Sequence, residues 1–254
     1  MSWTINVTIE RHIVARPVTT DRYTVEIEPH RNILDVIEKI WAEQDRTLTF
    51  RHGCHHASCG SCAIVANGRE VLPCIVHVED TVKKDGGTLA LGPLRNFPVI
   101  ADLVVDMEPL FAVMEKAGMP IVGPADPLPG QPEDDYNAFE NCIECGICMS
   151  ACPVVATDSE YMGPAGLAAV YQSINHTADA SERSRLLDMV DTPSGIWRCH
   201  VAYECSELCP SNVDPAGKIM TLRRMATFRR IRRLLGIKEK KEATHGIDTT
   251  PVKQ

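Results

Sequence analysis

Two cysteine runs constrain what this chain can fold into more than any other feature. The first is Cys142, Cys145, Cys148, Cys152 and Pro153, a C-x2-C-x2-C-x3-C-P spacing. The second is Cys199, Cys205, Cys209 and Pro210, the same spacing with Ala202 where its second cysteine would stand. The full run is that of cubane iron-sulfur sites, in which three thiolates on one tight turn reach three corners of a cube and the fourth points to a neighbouring cluster. By that rule Cys142, Cys145, Cys148 and Cys209 are expected to hold a 4Fe-4S cluster. Cys152, Cys199 and Cys205 are left for a second site. With Ala202 at its fourth corner, that site should hold a 3Fe-4S cluster, or a four-iron one whose last iron carries water.

A third set lies upstream. Cys54, Cys59 and Cys62 are spaced C-x4-C-x2-C, with Cys74 following after eleven intervening residues, which is the plant-type arrangement for a 2Fe-2S cluster. The loop Gly53 to Ser61 is rich in small residues, as it must be if backbone N–H groups are to turn toward cluster sulfurs. Asn67-Gly68 between the third and fourth ligands marks a tight hairpin. His55 and His56 read as loop residues that at most tune the potential by proximity, because four cysteines already satisfy the site.

These three sets use all eleven cysteines. Disulfides would leave an odd thiol, and the thiols cluster instead of scattering. Structural zinc explains C-x2-C pairs, but not a third cysteine two residues on and a fourth followed by proline. No apolar secretory segment precedes the body, so reduced thiolates and a cytoplasmic face are expected.

Along the chain, Thr4–Ile9 and Tyr23–Ile27 alternate like half-buried strands, joined through a turn region at Pro17–Arg22. Asn32 is placed to cap a helix with Ile33, Leu34, Ile37, Ile40 and Trp41 on one face. Thr88–Leu91 reads as a last strand and 93–98 as a connector. Ile100 to Met114 has a helical period that Pro109 should bend or end. Gly118–Pro132, with five prolines, is an expected extended linker. Helices are expected at Pro164–Ile174, Glu182–Met189 and Pro215–Arg233. The predicted division is 1–105, 106–233 and a basic tail, 234–254.

Charge is uneven. From Lys218 onward eleven Lys and Arg face three Asp and Glu, so that piece carries +8 and the rest −16 of the net −8. An acidic body argues against nucleic acid as a partner. The most apolar stretch, Phe97–Met114, is interrupted by Asp102, Asp106 and Glu108, too soon to span a bilayer. The basic C-terminal segment, with Arg223, Arg224, Arg229, Arg230, Arg232, Arg233, Lys238, Lys240 and Lys241, alternates with Leu222, Met225, Phe228, Ile231, Leu234 and Leu235. It is expected to rest at lipid headgroups, where each cation contributes on the order of 1 kcal/mol.

Taken in order, Gly60-Ser61-Cys62, Pro93-Leu94, Phe97-Pro98-Val99-Ile100, Asp102 to Asp106 and the two proline-terminated runs resemble the iron-sulfur subunit of succinate dehydrogenase or fumarate reductase, over about residues 3 to 230. The resemblance implies an α+β chain: an N-terminal β-grasp, plant-type ferredoxin domain followed by an all-α, bacterial-ferredoxin-like domain. It implies a flavoprotein partner with covalent FAD on the 2Fe-2S side, and a cytochrome b type membrane anchor beneath the 3Fe-4S side. The chain itself would bind no FAD and would sit peripherally on the cytoplasmic face of the inner membrane, passing electrons between succinate or fumarate and a quinone. Pro153, Val154, Thr157 and His200 occupy the positions that line the family's quinone site. Many ubiquinone-linked members carry Trp at the position of Thr157, and its absence here leans toward menaquinone.

Overall fold

The computed structural model describes residues 1–13, 15–119, 141–177 and 179–236. The expected linker beyond Met119, and the tail beyond residue 236 with Lys238, Lys240 and Lys241, lie outside the described residues.

Strands β1 (Trp3–Arg11) and β2 (Thr19–Ile27) form an antiparallel hairpin with Val7 opposite Tyr23. The period-2 alternation sends Ile5, Val7 and Ile9 inward, each at most 1% exposed. Both strands outrun the expected bounds. The predicted turn at Pro17–Arg22 is displaced, because Thr19 to Arg22 already pair with Arg11 to Thr8. The added inward position is Arg11, which stays buried because its guanidinium pairs with Asp102 at 2.9 Å and Asp21 at 2.8 Å and also bonds Tyr23 and Asp45.

Helix α1 (Ile33–Glu43) buries Ile33, Leu34, Val36, Ile37 and Ile40. Its first turn is fixed by Asn32, whose N–H donates to Asp35 at 3.1 Å while its side-chain amide donates to the Cys74 carbonyl at 2.7 Å. Trp41, expected on the apolar face, is exposed instead and covered by the Arg46 guanidinium at 4.2 Å. Short strands β3 (Ile64–Ala66) and β4 (Arg69–Val71) close on Asn67-Gly68, followed by α2 (Val78–Val82) and β5 (Thr88–Gly92). The sheet order is β2-β1-β5-β3-β4, with β5 parallel to β1 in the middle and every other pairing antiparallel.

The expected helix from Ile100 does not start there. Val99–Ala101 (β6) and Val104–Val105 (β7) pair as a small hairpin around Asp102, which holds a left-handed φ of 43°. The Asp102 carboxylate is drawn inward, accepting from the N–H groups of Thr49 and His12 as well as from Arg11. Pro109 begins helix α3 (Glu108–Lys116) rather than ending one, in a first turn where its missing N–H costs nothing.

Beyond lie α4 (Ile147–Ser150), α5 (Gly163–His176), α6 (Ala180–Val190), α7 (Glu204–Glu207) and α8 (Pro215–Leu234). Residues 163 to 174 of α5 are all buried, and α3, α6 and α8 pack round it. Its small residues permit this: a Cβ added at Gly166 would meet Val113 at 3.1 Å. Leu34, Leu72, Leu94 and Phe97 share one apolar core with Ile147, Met149, Ile196 and Leu222, so the sheet-bearing half and the helical half are packed as one body.

Candidate metal centres

The loop from Gly53 to Ser61 bends because His55, Ala57 and Gly60 all adopt left-handed backbone, at φ 61°, 59° and 66°. That curl points N–H groups at one sulfur. Ser58, Cys59 and His56 donate to Cys54 Sγ at 3.2, 3.3 and 3.5 Å. Led by the His56 N–H, they pull the Cys54 thiol down to about 7, which favours thiolate. Cys59 Sγ lies 3.1 Å from Ser61 Oγ, and its thiol is lowered chiefly by that contact. Cys62 and Cys74 are buried; burial, then the nearness of Cys74, pushes Cys62 up to about 12. One rim is therefore exposed and polar, and the other is dry.

In the helical half, Cys142, Cys145, Cys148 and Cys209 surround one cavity, lined also by Leu110, Ile147 and Ala168. Burial raises the Cys145 thiol to about 12 and also pushes Cys148 well up, with the neighbouring sulfurs adding to it. Cys152, Cys199 and Cys205 face a second cavity, whose wall includes Ala202, Pro153, Val154 and His200. Thr157 is absent from that lining. It sits in the 3-10 turn Val155–Thr157, its hydroxyl donating back to the Val154 carbonyl at 2.9 Å. Burial, then Cys152 and Cys199, pushes Cys205 up to about 12.

These thiols suit an iron-sulfur core on chemical grounds. Among the described residues no Lys or Arg lines either cavity, so ionised sulfurs there need a bound cationic core. Soft thiolate sets select Fe-S or zinc. The Tyr161 hydroxyl is buried against the sulfurs of Cys199, Cys152 and Cys205, with Cys199 the first of them in its influence. A hydroxyl donor so placed suits a sulfur-rich group.

Two contacts tie the three sets together. A Cβ on Gly60 would collide with the Ile143 carbonyl and lie 2.9 Å from Cys145 Cβ, so the first loop touches the turn of the second backbone to backbone. Asn96, in left-handed backbone at φ 63°, donates its side-chain amide to the carbonyls of Met149, Ser150 and Cys152 at 2.9, 3.0 and 3.1 Å. The Ser150 hydroxyl donates to buried Glu70 at 2.8 Å and accepts from the Arg95 N–H at 2.8 Å. The expected connector 93–98 is thus a latch on the Cys148–Cys152 turn. Cysteine spacing carries no sign of Asn96 or Tyr161.

Several cations of the basic segment are engaged within the chain. Arg223 donates to the carbonyls of Ile196 and Cys199, holding the Cys199 turn. Arg229, Arg230 and Arg233 turn to Asp188 on α6 and to Asp191, which caps its C-terminal end. Phe228, Ile231, Leu234 and Leu235 are exposed along the last turns of α8.

Residues 6–112 match the family described as a 2Fe-2S iron-sulfur cluster binding domain, and residues 138–213 the one described as a 4Fe-4S dicluster domain. The fumarate reductase iron-sulfur subunit of Mycobacterium tuberculosis (strain CDC 1551 / Oshkosh) is 34% identical over 227 residues, covering 85% of this chain and 90% of its own length. The chain belongs to the iron-sulfur subunits of succinate dehydrogenase and fumarate reductase. The succinate dehydrogenase iron-sulfur subunit of Paracoccus denitrificans is 33% identical over 205 residues, 78% of this chain and 77% of that one. Among solved structures, the Mycobacterium smegmatis Sdh1 complex in the apo form superimposes with a TM-score of 0.71 at 25% identity, covering 91% of this chain and 98% of that one. As a member, this subunit takes part in electron transfer within an oxidoreductase complex, with a ferredoxin-like 2Fe-2S domain and a dicluster domain. No described helix is long and apolar enough to cross a membrane.

Proposed function

We propose that this chain is the electron-conducting subunit of a succinate:quinone oxidoreductase. Its ligand sets are Cys54, Cys59, Cys62 and Cys74 for 2Fe-2S; Cys142, Cys145, Cys148 and Cys209 for 4Fe-4S; and Cys152, Cys199 and Cys205 for 3Fe-4S. When bound, the clusters supply one-electron carriage between FAD on a flavoprotein partner and a quinone at a membrane anchor, menaquinone being favoured by Thr157. The units divide near residue 105, and the complex lies on the cytoplasmic face of the membrane.

The observation that carries the reading is the sorting of seven cysteines, distant in sequence, into one cavity with four and one with three, with Ala202 on the wall of the second. The protein's own part is positional. Backbone N–H groups at His56, Ser58 and Cys59 stabilise sulfur charge at the first site. Val201 and Val213 donate to Cys199 and Cys209 Sγ at 3.4 and 3.3 Å. Apolar residues line most of the four-cysteine site, whereas the three-cysteine site is flanked by the exposed segment 200–204, and such hydrogen bonds and burial set cluster potentials. Pro153, Val154 and His200, on the wall of the three-cysteine cavity, form the quinone side, and the exposed end of α8 faces the anchor and lipid.

The test is iron analysis with low-temperature EPR of the loaded chain in its complex. About nine irons per chain and the signal of an oxidised three-iron cluster are expected. Far fewer irons, or several free thiols, would refute the assignment.

A further inference from the structure

Beside the Cys54 loop, three groups outside the cysteine sets converge. His52 Nδ1 lies 3.1 Å from His55 Nε2, and Glu38 Oε1 on α1 lies 3.5 Å from the first and 3.6 Å from the second. The two carboxylate separations are longer than a sound hydrogen bond. They do match the face of a metal tetrahedron: bonds of 2.0–2.1 Å to nitrogen and oxygen put neighbouring donors about 3.3 Å apart. The triangle is also held in place. His52 stacks on Phe50 with centroids 5.3 Å apart at 23°, and His55 meets His52 edge-on at 5.2 Å and 84°. Glu38 rides on a helix whose other face is fixed in the core. The side chains are 46%, 48% and 33% exposed, so a fourth position opens to solvent.

We propose that Glu38, His52 and His55 form a surface site for a divalent d-block cation of the zinc class, with three protein ligands and one open position. Two imidazoles and a carboxylate are a donor set for such ions, and unlike the cysteines they leave room for exchange. The ion would sit one residue from Cys54 and place positive charge beside that sulfur. Binding does not rest on the cluster assignment; this electrostatic consequence does.

The experiment titrates zinc chloride into the iron-loaded chain by calorimetry, with X-ray absorption at the zinc edge. One saturable site is expected, with a nitrogen and oxygen shell near 2.0–2.1 Å and no sulfur at about 2.3 Å. His52→Ala and Glu38→Gln should each weaken it by at least ~10-fold, the loss that even an outer-shell partner costs a metal site. Both variants should keep the wild-type iron content and denaturation midpoint. Absence of saturable binding, a sulfur shell, or unchanged affinity in both variants would overturn the site. Zinc should also raise the midpoint potential of the 2Fe-2S signal in wild type and not in Glu38→Gln; a flat response with binding intact would overturn the coupling to Cys54 alone.

Discussion

Gly60→Ala tests whether the first cysteine loop truly abuts the second. A side chain at φ 66° costs about 1–2 kcal/mol in left-handed backbone. The new methyl would also stand 2.9 Å from Cys145 Cβ and 3.0 Å from its Cα, where carbon pairs prefer about 3.5–4.0 Å. Because the obstacle is backbone and not a flexible side chain, the loops must part, at an overpacking cost of about 1–3 kcal/mol. Gly68→Ala is the matched control, since Gly68 is also left-handed, at φ 82°, yet an added Cβ there meets nothing within 4 Å. Both substitutions lose the same unfolded-chain freedom, so that contribution cancels. Denaturant unfolding of the loaded chain, followed by cluster absorbance and tryptophan fluorescence, should place Gly60→Ala about 1–3 kcal/mol below Gly68→Ala. Equal midpoints would mean that the loops do not touch as described, and the reasoning would fall.

Arg11→Ala should destabilise by about 3–5 kcal/mol, since it leaves Asp102 buried without its cation; a loss below ~1 kcal/mol would contradict the network. Asp45 is held below the usual carboxylate range, chiefly by Thr47 and then by Tyr23 and Arg11, against the opposing effect of burial. A carboxylate so lowered adds stability above its unfolded value of about 3.9, and that share is lost as pH falls through the folded value. The midpoint should therefore drop more steeply below about pH 4 in wild type than in Asp45→Asn. Ala202→Cys should supply a fourth thiolate to the three-cysteine cavity, replacing the three-iron EPR signal with a four-iron cluster of lower potential; an unchanged spectrum would count against the ligand sets. Tyr161→Phe removes the buried hydroxyl beside Cys199, and an EPR redox titration should show the potential of the second cubane site falling, whereas a constant potential would show that the hydroxyl does not donate to it.

What the sequence made legible was mostly local. Three cysteines on one turn are a covalent constraint, so the runs at 142–153 and 199–210 could be read without knowing the fold, as could the capping Asn32 and the Asn67-Gly68 turn. Arg11 was hidden because it continues the inward alternation of Ile5, Val7 and Ile9 with a charged residue, which pattern reading takes as the end of a strand. The stretch from Ile100 to Met114 misled because apolar residues in a short strand pair can fall at helical spacing; the signals against it were Asp102, drawn into the Arg11 network, and Pro109, well suited to open a helix. The cations of α8 were legible as a basic stripe, but not their partners Asp188 and Asp191, some forty residues earlier, which pair with three of them. Contacts between distant residues leave no periodic trace.

The amide of Asn96 has a consequence for the independence of the two halves. It grips Met149, Ser150 and Cys152 from the other half of the chain. The turn presenting Cys148 and Cys152 therefore keeps its curvature only while the upstream sheet is in place. A side chain from one half of the chain thus shapes a backbone turn in the other, and the two halves share one geometry at that point.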